Sequence, residues 1–160
     1  MFRDNFVHGD LHPGNHLVRR DPHTNSFLHL VVLDPGIVST LDPTDLANFR
    51  AVFSAVVAGN GRKVGELFLD HSQHRCSNRA DFVERMERLV MTARAEQLSL
   101  SRVDVSELLS GVFALLLEHR VKLESNYTSV ILAIMVLEGL GRTLDPELDL
   151  VIKAAPYLLK

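Results

Sequence analysis

Asp42-Pro43-Thr44-Asp45 divides this chain into two halves of different texture. An Asp N-cap, a Pro at the first helical position and an acid two residues on form a strong helix-start signal. From there to the C-terminus the apolar residues recur with a helical period. Before it there is no such period, and Val, Leu, His, Gly and Pro dominate. The chain therefore reads as mainly α (α+β): a short β region over residues 1–41, then a scaffold of five to six helices over 42–160, together one partial domain. Its 160 residues and 46% hydrophobic content suit one domain with a packed core.

In the first part, Asn5 to His8 reads as a strand and Gly9 to Gly14 as a loop. His16 to Arg19 and Phe27 to Leu33 read as the arms of a hairpin around the turn formers Asp21 to Ser26. Asp34-Pro35-Gly36 breaks the last strand. In the second part Leu46, Phe49, Phe53, Val56 and Val57 share one helical face, and Gly59-Asn60-Gly61 ends that helix. Arg62 to His71 is a short helix burying Val64, Leu67 and Phe68, and His71 to Asn78 is a polar loop. Arg79 to Gln97 buries Phe82, Met86, Leu89, Val90 and Ala93. Asp104 to His119 buries Leu108, Leu109, Val112, Phe113, Leu116 and Leu117. Asn126 to Leu140 is apolar on most sides and reads as the central core helix. A last short helix ends before Pro156.

Composition excludes several functions. A formal net charge of -3, with 17 Lys and Arg scattered along the chain, provides no basic field, so no nucleic-acid partner is expected. The single cysteine, Cys76, makes neither an internal disulfide nor a zinc ribbon. The apolar run Ser125 to Leu137 stops at Glu138, short of the roughly 20 residues of a spanning helix, so no transmembrane span is expected. No apolar segment near Met1 resembles a signal peptide.

The chemistry-bearing residues lie in the loops of the first part. In His8-Gly9-Asp10-Leu11-His12-Pro13-Gly14-Asn15, an Asp is followed five positions later by an Asn on a loop leaving a strand. That is the arrangement of a kinase catalytic loop, in which the Asp orients the attacking hydroxyl and the Asn amide oxygen ligates Mg²⁺. Phosphoryl transfer needs in-line positioning and charge neutralisation by hard oxygen ligands. A second carboxylate is then required, and Asp34, at the end of Val31-Val32-Leu33, supplies it. Asp10 is the candidate catalytic residue. Asn15 and Asp34 are the candidate metal and cofactor-binding residues, and His8 and Gly14 support the loop. His8, His12 and His16 recur every four residues, a metal-ligand spacing on a helix, but Pro13 forbids an ordinary helix interior there.

HGDLHPGN resembles the catalytic loop of the UbiB-type atypical kinases, also called aarF-domain-containing kinases, and that of aminoglycoside and choline phosphotransferases. The segments LDPGIVSTLDPTDLANFRAVFSAVVAGNG and VKLESNYTSVILAIMVLEGLGRTLDPELDL, above all Glu138 to Pro146, resemble the aarF type, over essentially the whole chain. The resemblance implies a protein-kinase-like C-terminal lobe, Mg²⁺ and ATP as cofactors in the complete protein, and mitochondrial residence. It also implies a link to coenzyme Q (ubiquinone) biosynthesis or related lipid metabolism, with a lipid, a quinone-pathway small molecule or a protein as partner.

Departures from the kinase pattern shape the expected function. The nucleotide-covering loop, the phosphate-pairing Lys and its helix Glu should precede His8, yet all four lysines (Lys63, Lys122, Lys153, Lys160) follow it. The N-terminal lobe is therefore expected to be missing, Met1 to be a truncated start, and the fragment alone to be inactive. Pro35 stands where kinases carry Phe, and is expected to bias Asp34 towards an extended backbone. Gly9 replaces the usual Arg, and only Ile37 to Leu41 joins Asp34-Pro35-Gly36 to the first helix, so a peptide-docking loop has no room. A Mg²⁺-ATP-dependent phosphotransferase or ATPase is the reading. The alternatives are a non-catalytic pseudokinase scaffold and a small-molecule phosphotransferase of the aminoglycoside or choline type. The stripe Val130, Ile131, Ile134, Met135 and Leu137 is expected in the core rather than against a lipid.

Overall fold

The computed structural model describes residues 4–20, 28–70, 72, 76–98, 105–123 and 125–158. Along the chain they form β1 (Val7–His8), a 3₁₀ turn (Pro13–Asn15), β2 (His16–Arg20), β3 (Leu28–Val32) and β4 (Val38–Ser39). The helices are α1 (Pro43–Val57), α2 (Gly61–Asp70), α3 (Arg79–Leu98), α4 (Val105–Glu118), α5 (Ser125–Leu144) and α6 (Leu150–Leu158). The mainly helical character, with small strand pairs at the N-terminal end, matches the expectation. The turn at Asp21 to Ser26, Phe27, His23, Asp104 and most of the His71 to Arg75 stretch lie outside the described residues.

Two strand pairs are nested. β2 and β3 run antiparallel from His16 opposite Val32 to Arg20 opposite Leu28. β1 pairs with β4, Val7 opposite Ser39 and His8 opposite Val38. β4 was not expected, because two residues carry no periodic signal and their partner lies some thirty positions upstream. Asn5 closes the unit. It adopts φ +48, a conformation Asn tolerates better than most residues, and its side chain bonds both the amide and the carbonyl of Leu41. Val7 and Leu41 reach the core. The hairpin does not: Leu17, Val18, Leu28 and Leu30 are all exposed.

The helices form for local reasons. Asp42 Oδ1 accepts the Asp45 amide at 2.9 Å, with Pro43 at the first helical position of α1. Gly59 turns the chain at φ +70. Asn60 Oδ1 then accepts the Lys63 amide at 3.0 Å, so the Gly59-Asn60-Gly61 segment read as a stop also starts α2. Gly61 lets α2 press against α3: a Cβ there would meet Glu87 Cα at 2.7 Å and Met86 O at 2.9 Å. Gly61→Ala is expected to destabilise the fold by about 1–3 kcal/mol despite alanine's better helix propensity. Urea unfolding checks this, and an unchanged or raised midpoint would contradict it.

The core is built from Phe49 of α1, Val64 and Phe68 of α2, Phe82, Met86 and Val90 of α3, Leu108, Val112 and Leu116 of α4, and Val130, Ile131 and Ile134 of α5. Three expectations change. Leu117 is exposed, because one residue beyond Leu116 is a rotation of about 100° away from the buried stripe. α6 runs through Pro156, which sits in the last turn and forfeits one bond to the Ile152 carbonyl. α5 is not a helix surrounded by core. It is four residues longer at its C-terminal end than expected, one face packs, and Leu132, Val136 and Leu137 face outward. The proposed stripe thus splits: Val130, Ile131 and Ile134 are buried and Met135 is partly buried, while Leu137 lies outside. By length and composition alone, Tyr127–Leu144 of α5 is long and apolar enough to cross a membrane, which the shorter expected helix was not.

Candidate catalytic and metal-binding loops

Three hydrogen bonds from backbone amides, one of them to a side chain, hold the first loop. Gly9 N donates to Ile37 O at 2.8 Å, extending the β1–β4 pairing. His12 caps the 3₁₀ turn, its Nδ1 accepting the Gly14 amide at 3.1 Å with Pro13 at the first position. Asn15 N donates to His12 O at 2.9 Å.

Within this frame Asn15 is 8% exposed. Its Nδ2 donates to Asp10 O at 3.0 Å and lies 3.4 Å from Asp10 Oδ2. That orientation leaves Asn15 Oδ1 with no hydrogen-bond partner among the described residues. His12 Nε2 lies 3.7 Å from the same Asp10 oxygen.

The second loop is tied to the first through Leu33. Its amide donates to Asn15 O at 2.8 Å, continuing the β2–β3 ladder by one residue. His8 Nδ1 accepts the Asp10 amide at 3.2 Å, so in the neutral ring Nε2 carries the proton. That nitrogen faces Leu33 O at 3.4 Å. His8 thus bridges the backbone of Asp10 and the residue before Asp34.

Asp34 itself differs from the sequence expectation. Its φ is +50 rather than extended. The bias from Pro35 is overcome by a local turn in which Asp34 Oδ1 accepts the Gly36 amide at 3.3 Å. A Cβ at Gly36 would come within 2.9 Å of that oxygen, so a larger residue there would displace the Asp34 carboxylate from this turn. Asp34 is exposed, and its other carboxylate oxygen makes no hydrogen bond among the described residues.

The structure therefore brings the backbones of Asp10, Asn15 and Asp34 to one end of the β2–β3 hairpin. It does not align His8, His12 and His16. They sit on β1, at the turn cap and at the start of β2, and His16 Nδ1 faces His12 O at 3.1 Å. Among the described residues no three His, Cys, Asp or Glu side chains converge as a metal site. Cys76 is half-buried, 3.9 Å from His119 Nδ1.

Sequence reasoning missed one polar centre. Glu138, read as the end of an apolar run and the start of the segment that most resembles the aarF type but given no role of its own, is 2% exposed. It accepts the Val105 amide at 2.7 Å and the Ser106 hydroxyl, and pairs with Arg142 at 3.3 Å. A carboxylate from α5 thus serves the N-terminus of α4, where unpaired amides and the helix dipole favour negative charge. A lone Glu in an apolar helix is the signal that was available.

Residues 1–68 match the ABC1 atypical kinase-like domain, and residues 90–149 match the UbiB helical domain. The chain belongs to the ABC1/UbiB family of atypical kinase-like proteins. It is 32% identical to a Schizosaccharomyces pombe ABC1 family protein described as mitochondrial, over 97% of this chain and 28% of that protein. A Saccharomyces cerevisiae ABC1 family protein, also described as mitochondrial, is 29% identical over 99% of this chain and 31% of its own length. A probable protein kinase UbiB of Xylella fastidiosa is 30% identical over 99% of this chain and 28% of its own length. The chain thus spans about three tenths of the length of these relatives. No solved structure matches it.

Proposed function

We propose that residues 1–160 are the part of an atypical kinase-like phosphotransferase or ATPase that carries its catalytic and metal-binding loops. The observation that supports this best is Asn15. A buried amide whose nitrogen is committed to Asp10 presents its oxygen as a hard ligand beside an aspartate. The donor set suits Mg²⁺: Asn15 Oδ1 and the Asp34 carboxylate would hold the ion of Mg²⁺-ATP. Bound there, the ion would neutralise charge on the phosphates. Asp10 would orient, or accept the proton of, the attacking hydroxyl, and His8 and the 3₁₀ turn at Gly14 would keep the three backbones in register.

The substrate we assign is a small molecule, a lipid or water rather than a protein. Only five residues join Gly36 to Asp42, and two of them are committed to pairing with β1, so no long peptide-docking loop is present there. By likeness to relatives described as mitochondrial and as UbiB, we place the full-length protein in mitochondria and in coenzyme Q biosynthesis or related lipid metabolism.

Titration calorimetry on the full-length protein tests the site. Asn15→Ala and Asp34→Ala are each expected to weaken Mg²⁺-dependent nucleotide binding by at least about tenfold. Unchanged affinity in either variant removes that residue from the site. Because the chain spans so little of its relatives, we also propose that residues 1–160 by themselves carry out no measurable phosphoryl transfer. Robust ATP turnover by that chain, abolished by Asp34→Ala, would overturn this.

A further inference from the structure

A cavity of about 170 Å³ opens beside the first turns of α1. Thr44, Asp45 and Asn48 form its polar rim, and Val52, Phe68 and Tyr127 are among its apolar walls. The same three apolar residues also line a second, partly open space of about 40 Å³ whose lining presents no polar surface. The two spaces share a wall, so an apolar group entering from the rim lies against side chains that border both. Tyr127 is fixed at the rim, its hydroxyl donating to Asp45 O at 2.8 Å.

A concave apolar space with a few convergent polar groups at one edge is the usual form of a small-molecule site. Charge at the rim narrows the class of ligand. Asp42 and Asp45 already place two carboxylates in the first turn of α1, one of them capping it, so the helix dipole is served and a further anion meets like charge. We infer that this pair of spaces binds a small neutral amphiphile. Its hydroxyl head bonds at the Thr44–Asn48 rim, and its apolar chain lies against Val52, Phe68 and Tyr127. The site shares no residue with the Asp10, Asn15 and Asp34 loops and does not depend on their assignment.

The chain has no tryptophan and two tyrosines, Tyr127 and Tyr157. In a Tyr157→Phe background, whose substitution falls at an exposed position, tyrosine emission reports on Tyr127 alone. Titration with 1-octanol is expected to change that emission saturably with far-ultraviolet circular dichroism unchanged. Octanoate, of equal chain length, is expected to bind at least about tenfold more weakly. Val52→Phe, which fills the space, is expected to weaken octanol binding at least about tenfold. Should that variant fail to fold, Asp45→Asn carries the test: it is expected to narrow the gap between octanol and octanoate at least about threefold. A non-saturating octanol response, equal binding of octanoate, or an unaltered titration in the folded Val52→Phe variant or in Asp45→Asn would overturn the inference.

Discussion

Glu138→Ala is expected to lower the unfolding free energy by about 3 kcal/mol, a large share of the stability of a domain this size. The substitution removes an acceptor from the Val105 amide, a partner from the Ser106 hydroxyl and the counter-charge of Arg142 in one step. The Val105 contact is buried, and water does not simply replace the lost oxygen there. Arg142, one third exposed, recovers part of its solvation, which keeps the loss below that of a fully buried pair. Glu138→Gln retains an acceptor for α4 while losing the ion pair, and should fall between wild type and alanine. Urea unfolding followed by circular dichroism decides the matter. A loss under about 1 kcal/mol for the alanine variant would mean that α4 does not depend on this carboxylate.

Phe82→Ala is expected to cost about 3–5 kcal/mol. Phe82 is 0% exposed on α3, and its ring meets the His119 ring edge-on at 5.4 Å. Truncation leaves a cavity between α3 and the segment following α4, and the helices close such a gap only partly. The informative control is Leu132→Ala on the outer face of α5. Leu132 is as apolar as any core residue but 51% exposed, so its truncation should shift stability by no more than about 0.5 kcal/mol. Equal losses from the two substitutions in urea would place the core on the wrong side of α5.

These two residues mark how far reading from sequence reached. Phe82 was legible because its neighbours at helical spacing, Met86 and Val90, repeat its character and only one face of α3 is apolar. Glu138 was not, because its partners Val105 and Ser106 lie more than thirty residues upstream and nothing beside it announces them. The candidate site divides in the same way. Asp10 and Asn15 were found by a spacing five residues long, and Asp34 by a strand ending in Asp-x-Gly. The left-handed backbone of Asp34 was missed, since a side-chain bond to Gly36 outweighed the steric bias of Pro35. The role of Leu33 as the link between the two loops depends on ladder register and on the reach of His8.

The sequence by itself determined the mainly helical class, the helix starts at Asp42 and Arg79 and the hairpin, and it pointed to Asp10, Asn15 and Asp34 as the candidate set. Each of these depends on residues near one another in the chain, where capping, turn chemistry and periodicity act. Only the tertiary structure decided that β4 exists, that α5 buries one face rather than all, that Glu138 serves α4, and that a polar-rimmed cavity lies beside α1. Each of those joins different elements, thirty or more positions apart for β4 and for Glu138, and the free energy that selects them comes from packing and desolvation between elements rather than from either element's own sequence.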